Sequence, residues 1–283
     1  MEVLKVEEIQ RAVREALSED IGSGDVTTLS TVPLDAVNQA LMVARGPLVV
    51  AGIEFCEAAF RELDPAVRME RLVSDGAHLN AGDPMLRVRG RTHALLSAER
   101  VALNFVQRLS GVATATARYV ELIKGTKARI LDTRKTTPGW RRFEKYAVLC
   151  GGGQNHRIGL YDMVLIKDNH LAALAGEKPN PVGAAVARAR GKYPGLRVEV
   201  EADTLEQVRQ AIEAGADIIL LDNMSPELLR EAVRLVGGRA KTEASGGVNA
   251  TSCRNIAETG VDYISIGAIT HSAAAVDVAL DFE

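Results

Sequence analysis

The sequence predicts an α/β protein in two parts, an α+β module followed by parallel β-α repeats. Three observations lead there. Candidate strand ends at Glu201, Asp222, Glu243 and Ser265 lie 21, 21 and 22 residues apart, which is about what one strand, one helix and two turns require. Helical stretches at 205–214, 226–236 and 252–259 separate those strands. Finally, the unusual polar residues sit at strand ends: Asp132, Lys167, Glu201, Asp222, Ser245 and Gly267. Ligands gather at the carboxyl ends of parallel strands. An open doubly wound sheet would concentrate these residues near one switch point, whereas a barrel mouth collects them from every strand. Closure into a barrel is therefore favoured, although about six clear strands are too few for the standard eight-stranded form.

Taken in order, residues 1–17 mix Glu2, Lys5, Glu7, Glu8, Arg11 and Arg14 with apolar residues at helical spacing. That predicts an amphipathic helix, not a signal peptide. Ser18 to Thr28 form a Gly/Asp/Ser turn region. Short strands follow at 40–44 and 48–53, a helix near 54–62, a turn cluster at 75–84 and a strand at 85–88. From residue 95 the period becomes helical, with Ser97 as N-cap and Val101, Phe105 and Leu109 at i, i+4 and i+8. This helix is expected to reach Lys124, with Gly111 as a weak point. The repeat strands are placed at 128–132, 163–167, 197–201, 218–222, 241–245 and 263–267. Residues 1–110 form one domain and 111–269 the next, with 270–283 packing back on the first.

Composition limits the function. Of 283 residues, 47% are hydrophobic and 25% charged, which excludes a disordered chain. Lys and Arg number 34 against 37 Asp and Glu, a net charge of −3, so a general nucleic-acid partner is not expected. Apolar runs such as 48–53 fall far short of the ~20 residues of a membrane span. Cys56, Cys150 and Cys253 lie far apart without a CxxC pair, which fits a reducing compartment. A cytoplasmic protein without a membrane partner is the expectation.

Between Arg134 and His170 lies a local excess of positive charge: Arg134, Lys135, Arg141, Arg142, Lys145, Arg157 and Lys167, with His156 and His170. Arg141, Arg142 and Lys145 read equally well as a solvated helix face. Arg134 and Lys135 instead follow a strand, and Arg157 follows three glycines in Gly151-Gly-Gly-Gln-Asn-His-Arg157, where backbone can approach a ligand closely. Ser245-Gly-Gly-Val248 and Ser265-Ile-Gly-Ala268 follow consecutive strands and suit a phosphate; alternatively they are tight turns. Glu199 and Glu201 share strand parity, placing Glu201 at the mouth and Glu199 deeper, and Asp222 ends the next strand. Carboxylates beside a phosphate site suggest Mg2+, ribose hydroxyls, or a structural ion pair with Lys167. Glu243 has the parity of Ser245 and suits a buried partner for a base. Lys167 either forms a Schiff base or stays an ammonium that binds anions.

Eight segments in order resemble the quinolinate phosphoribosyltransferase family: Glu19-Asp-Ile-Gly-Ser-Gly-Asp25, Ser97-Ala-Glu-Arg-Val-Ala-Leu-Asn104, Asp132-Thr-Arg-Lys-Thr-Thr-Pro-Gly139, Asn155-His-Arg157, Lys167-Asp-Asn-His170, Val198-Glu-Val-Glu201, Leu220-Leu-Asp-Asn223 and Glu243-Ala-Ser-Gly-Gly247. The resemblance covers nearly the whole chain. It implies an N-terminal α/β sandwich and an open, roughly seven-stranded α/β barrel. It also implies a homodimer with shared active sites, or a hexamer built of such dimers. Quinolinate would meet Thr133, Arg134, Lys135, His156, Arg157 and Lys167, together with Arg100 lent by the partner subunit. Glu201 and Asp222 match the ribose and Mg2+ side of phosphoribosyl pyrophosphate. Ser245, Gly246, Gly247, Ile266, Gly267 and Ala268 match its phosphate cradle. Lys135, Lys167, Glu201 and Asp222 are the residues assigned to catalysis. The products implied are nicotinate mononucleotide, pyrophosphate and carbon dioxide. The alternatives are a same-fold transferase with another acceptor, a Schiff-base lyase using Lys167, and a nucleotide-sensing protein without turnover.

Overall fold

A computed structural model describes residues 4–283. The chain divides into two compact units. The first gathers the residues up to Ala117 with Thr137–Gly152 and Ser272–Glu283; the second is Arg118–Thr136 with Gly153–His271. Residues 111–117 and Thr137–Gly152 thus go with the first unit, where a single cut at 110 places them with the second.

In the first unit, α1 (Val6–Ile21) buries Ile9, Val13 and Leu17 along one face. The helix expected over 1–17 therefore starts later and runs on through Ser18, and residues 1–3 lie outside the described residues. α2 (Val26–Thr31) takes up the last three residues of the segment read as a turn; Asp25 caps it, accepting the Thr28 amide at 3.0 Å and hydroxyl at 2.6 Å. Then come β1 (Val37–Ala44), β2 (Leu48–Val49), α3 (Ile53–Leu63), β3 (Arg68–Arg71), β4 (His78–Leu79), β5 (Pro84–Arg91) and α4 (Thr92–Leu122). Ser97 is not an N-cap. Strand β5 passes directly into α4, so Ser97 lies within the helix and its hydroxyl donates to Asp25 Oδ2 at 3.0 Å. Nor does Gly111 weaken α4. A Cβ there would lie 2.2 Å from the Ala274 carbonyl oxygen, so glycine is what lets the returning C-terminal segment touch the helix.

The segment at 137–152 joins this unit through aromatic packing. Trp140 stacks on Phe105 at 5.0 Å between centroids, and Phe105 on Phe55 at 4.8 Å. The following α5 (Arg141–Cys150) is not a solvated basic face. Lys145 is 3% exposed, Arg142 pairs with Glu8 at 2.7 Å, and buried Glu144 pairs with Arg108 at 2.6 Å.

The second unit carries the repeat. It contains β6 (Arg129–Leu131), β7 (Val164–Ile166), α6 (Asp168–Ala172), α7 (Pro181–Lys192), β8 (Val198–Ala202), α8 (Leu205–Glu213), β9 (Ile218–Asp222), α9 (Pro226–Val236), β10 (Lys241–Ser245), α10 (Cys253–Ala257), β11 (Tyr263–Ser265) and α11 (Ala268–His271). Helix α8 opens with a Thr204/Gln207 capping box, and α9 with Ser225 as N-cap and Pro226 in its first turn; such caps satisfy the orphan amides of the first turn. The six strands form one parallel sheet in the order β6-β11-β10-β9-β8-β7. Four of the neighbouring pairs follow chain order, and in the fifth the first strand pairs with the last. On its other edge β6 makes a further parallel bridge, Leu131 to Gln154.

The last strand, β12 (Val278–Phe282), returns to the first unit and pairs antiparallel with β1, Met42 opposite Leu280. This completes a four-stranded sheet of order β12-β1-β5-β3. Among the described residues no helix is long and apolar enough to cross a membrane.

Candidate active site

The carboxyl ends of the parallel strands surround a cavity of about 830 Å³. After β6 the chain turns through Thr133, Arg134 and Lys135, all of which line it. This loop is tied down at Lys135, whose carbonyl accepts the Thr270 hydroxyl at 2.7 Å and whose amide donates to Thr133 Oγ1 at 3.0 Å. His156 and Arg157 come from the turn after the Gln154 bridge, and Lys167 follows β7. Burial lowers the Arg157 pKa from its ordinary value, and the positive charge of Arg134 lowers it further. A partly buried guanidinium that feels a second positive charge forms a place for an anion.

Glu201 and Asp222 line the same cavity from β8 and β9. Parity operates as required: the Glu201 side chain is 12% exposed, while Glu199, two residues back, is fully buried. Lys167 Nζ lies 3.6 Å from Glu201 Oε2, with the lysine side chain half exposed. A pair of this length whose lysine is half exposed stabilises a fold little. Burial is the main cause that raises the pKa of both carboxyls. Lys167 opposes it at both sites, and at Asp222 the charge of Asp203 adds to it. Asp168 acts on both as a further negative charge, and the donor set is all oxygen. Such a set fits a hard divalent cation that keeps several waters.

The Ser245, Gly246 and Gly247 loop after β10 and the Ile266, Gly267 and Ala268 loop after β11 lie side by side along the cavity. Gly246 sits at φ +92°, and a Cβ on it would lie 2.1 Å from Asn223 Oδ1. Asn223 is itself left-handed at φ 53°, donates its backbone amide to Ser245 O at 2.9 Å, and donates Nδ2 to Asp222 Oδ2 at 2.6 Å. One residue thereby locks the Asp222 carboxylate to the glycine loop. At Gly267 a Cβ would meet Lys135 and His271 at 3.0 to 3.1 Å, so the missing side chain leaves room for both. The helices after these loops are short, five residues in α10 and four in α11. Any anion binding there rests on loop amides more than on a helix dipole.

Glu199 of β8, Glu243 of β10 and His156 form a cluster, and Glu243 and His156 also line the cavity. His156 Nε2 lies 2.9 Å from Glu199 Oε2 and 3.6 Å from Glu243 Oε2. Burial, then the facing Glu199, raises the Glu243 pKa to about 8.

The structure therefore brings together every residue expected at the site except Arg100. That residue lies exposed on α4 in the first unit and is not among the lining residues. Asp168, Asn223 and His271 also line the cavity and were not among the expected site residues. Asp168 and Asn223 were legible in principle, each standing directly after a strand-end residue that carries charge. His271 had no such signal.

Two family models match the chain. The quinolinate phosphoribosyl transferase N-terminal domain covers residues 25–110, and the C-terminal domain covers 112–281. The chain belongs to the quinolinate phosphoribosyltransferase family. It is 42% identical over 297 residues to the mitochondrial quinolinate phosphoribosyltransferase (decarboxylating) 2 of Nicotiana glauca, covering 98% of this chain and 82% of that protein. It is also 42% identical to a probable nicotinate-nucleotide pyrophosphorylase (carboxylating) of Bacillus subtilis, covering 97% of this chain and 93% of the relative. Among solved structures, the nicotinate-nucleotide pyrophosphorylase of Francisella tularensis superimposes with a TM-score of 0.93 at 40% identity, over 99% of this chain and 98% of that one.

Proposed function

We propose that the chain transfers a phosphoribosyl group from phosphoribosyl pyrophosphate to quinolinate, giving nicotinate mononucleotide, pyrophosphate and carbon dioxide in NAD biosynthesis. The observation that carries this reading is one cavity holding Arg134, Lys135, Arg157 and Lys167, two carboxylates and two glycine loops, in a chain of this family. Quinolinate is a dianion, and several fixed cations suit its adjacent carboxylates. The glycine loops suit the 5-phosphate. Glu201 and Asp222 suit the ribose and a Mg2+ ion, which when bound would neutralise pyrophosphate as it leaves.

The pyridine nitrogen forms a bond to the anomeric carbon as the bond from that carbon to pyrophosphate breaks. Positive charge grows on the ribose, and the two carboxylates face it. Arg134, Arg157 and the lysines hold the acceptor in line for attack. The resulting pyridinium nitrogen then stabilises the electron pair left at ring carbon 2 when its carboxylate departs as carbon dioxide. A proton completes that carbon. No protein nucleophile enters, and Lys167 beside Glu201 serves as an ammonium.

The sheet order supports an open barrel of seven staves, with the Gln154 segment as the seventh beside β6. The antiparallel sheet of the first unit suits the sandwich. We place Arg100 in a neighbouring subunit's site, within a homodimer that could assemble further into a hexamer, and the chain in the cytoplasm. Mixed Arg100→Ala and Lys135→Ala subunits are then expected to regain activity, one complete site per heterodimer. Activity that stays at the level of the separate variants, with heterodimers shown to form, contradicts sharing. For the acceptor, quinolinate is expected to exceed nicotinate in kcat/KM by roughly ten- to a hundredfold, because the monoanion leaves charge-assisted pairs unmade. Preference for nicotinate would assign the cavity to another acceptor.

A further inference from the structure

After Arg157 and before β7 the chain makes an excursion, Ile158-Gly-Leu-Tyr-Asp162, that takes no part in the reaction described. Leu160 and Tyr161 at its tip are 72% and 73% exposed. A turn whose apolar tip points outward has little packing to hold it, so its shape rests on hydrogen bonds.

Asp162 supplies them. Its Oδ2 accepts the Ile158 amide at 2.8 Å and its Oδ1 the Gly159 amide at 2.9 Å. A carboxylate that accepts two successive amides makes a charge-assisted clamp. A Cβ on Gly159 would collide with the Tyr161 ring, so that ring lies against backbone within the same turn. Closing the turn sets Met163 beside Arg157, and Arg157 Nη1 donates to the Met163 carbonyl at 3.1 Å. The downstream end is held by the sheet, since the Val164 amide donates to the Arg197 carbonyl at 3.0 Å. The upstream end is held by Asp132, which accepts the His156 amide at 2.8 Å and Asn155 Nδ2 at 2.7 Å. With Nη1 engaged, the guanidinium plane is set and its remaining N–H groups are left for an anion. Asp162 itself is not among the residues lining the cavity.

We propose that Asp162 is a positioning residue for acceptor binding: its clamp on the Ile158 and Gly159 amides closes the turn that presents the Arg157 guanidinium to the acceptor. This rests on the reading of the cavity as a quinolinate site. An arginine side chain carries substantial rotamer entropy, and holding it in advance lowers the cost of binding. Charge alone predicts the opposite sign. The negative charge of Asp162 acts on Arg157, and a carboxylate there competes with an incoming anion. Were that its only effect, removing it would tighten quinolinate binding.

The test is a double-mutant cycle of Asp162→Ala and Arg157→Ala in the full-length protein, read by titration calorimetry with each ligand. Asp162→Ala is expected to weaken quinolinate binding about three- to tenfold, the scale of ordering one long side chain, while phosphoribosyl pyrophosphate binding stays within about twofold. Asp162→Asn keeps one acceptor oxygen without the charge and is expected to recover part of the loss. In the Arg157→Ala background, Asp162→Ala is expected to add less than about twofold, because the group it positions is gone. Nitrogen relaxation at Arg157 Nε in the unliganded protein is expected to show an ordered side chain in wild type and a more mobile one in Asp162→Ala.

Unchanged or tighter quinolinate binding in Asp162→Ala overturns the proposal. So does full additivity with Arg157→Ala, or asparagine as damaging as alanine. Parallel loss of both ligands with a fall in Tm overturns it too, as does an Arg157 side chain equally ordered with and without Asp162. If Asp162→Ala does not fold, Asp162→Asn takes its place in the cycle, with weaker quinolinate binding and a more mobile Arg157 still expected. Wild type that binds no quinolinate, with Arg157 loosened by the substitution as stated, would instead count against the functional reading.

Discussion

Asp222→Asn is expected to lower turnover by about two to three orders of magnitude, the usual scale for removing one preorganised charge-stabilising group, while leaving Tm unchanged or slightly raised. The two halves have separate causes. In the proposed reaction Asp222 faces the ribose where positive charge develops; Asn223 and the Gly246 loop fix its carboxylate, so a neutral amide keeps the shape and loses the charge. Stability moves the other way because burial and Asp203 raise the Asp222 pKa above its ordinary value. A carboxyl with a raised folded-state pKa contributes stability at low pH and loses it as pH rises through that pKa. At pH 8 the ionised form is therefore the less comfortable one, and asparagine relieves it. Quinolinate affinity without donor should stay near wild type. A structural ion pair demands the opposite: early melting with near-normal turnover per folded molecule. Scanning calorimetry, quinolinate titration and turnover on one preparation separate the two.

Arg157→Ala should weaken quinolinate binding by roughly ten- to a hundredfold, equivalent to about 1.5–3 kcal/mol for a charge-assisted pair in a shielded site. Phosphoribosyl pyrophosphate binding should change little, since the glycine loops and carboxylates come from other strands. Arg157→Lys should recover only part of the loss, because lysine keeps the charge but not the planar fork. Titration calorimetry with each ligand reads this directly; wild-type quinolinate affinity in the alanine variant would make Arg157 a bystander.

Much of the repeat was legible in the sequence because its signals are local. β9 at Ile218–Asp222, β10 at Lys241–Ser245 and α9 at Pro226–Val236 lie where expected, since an apolar run and a Ser-Pro start are read without tertiary context. Glu199 and Glu201 share a face by parity and differ in depth, as their positions along β8 imply. What was not legible depends on contacts distant in sequence. Ser97 has the chemistry of a cap, but the chain entering from β5 had already started the helix. Gly111 is set by Ala274, more than 160 residues later. The basic run at 141–145 reads equally well as a solvated face until the fold pairs Arg142 with Glu8 and buries Lys145.

The central claim joins glycosyl transfer to decarboxylation in one cavity. It is tested most directly with quinolinate labelled in its 2-carboxylate, measuring labelled carbon dioxide and pyrophosphate together in the presence of phosphoribosyl pyrophosphate and Mg2+. The expected result is release of both in equal amounts, with neither formed when the donor or the metal is omitted. Pyrophosphate without carbon dioxide, or carbon dioxide without the donor, would contradict the account.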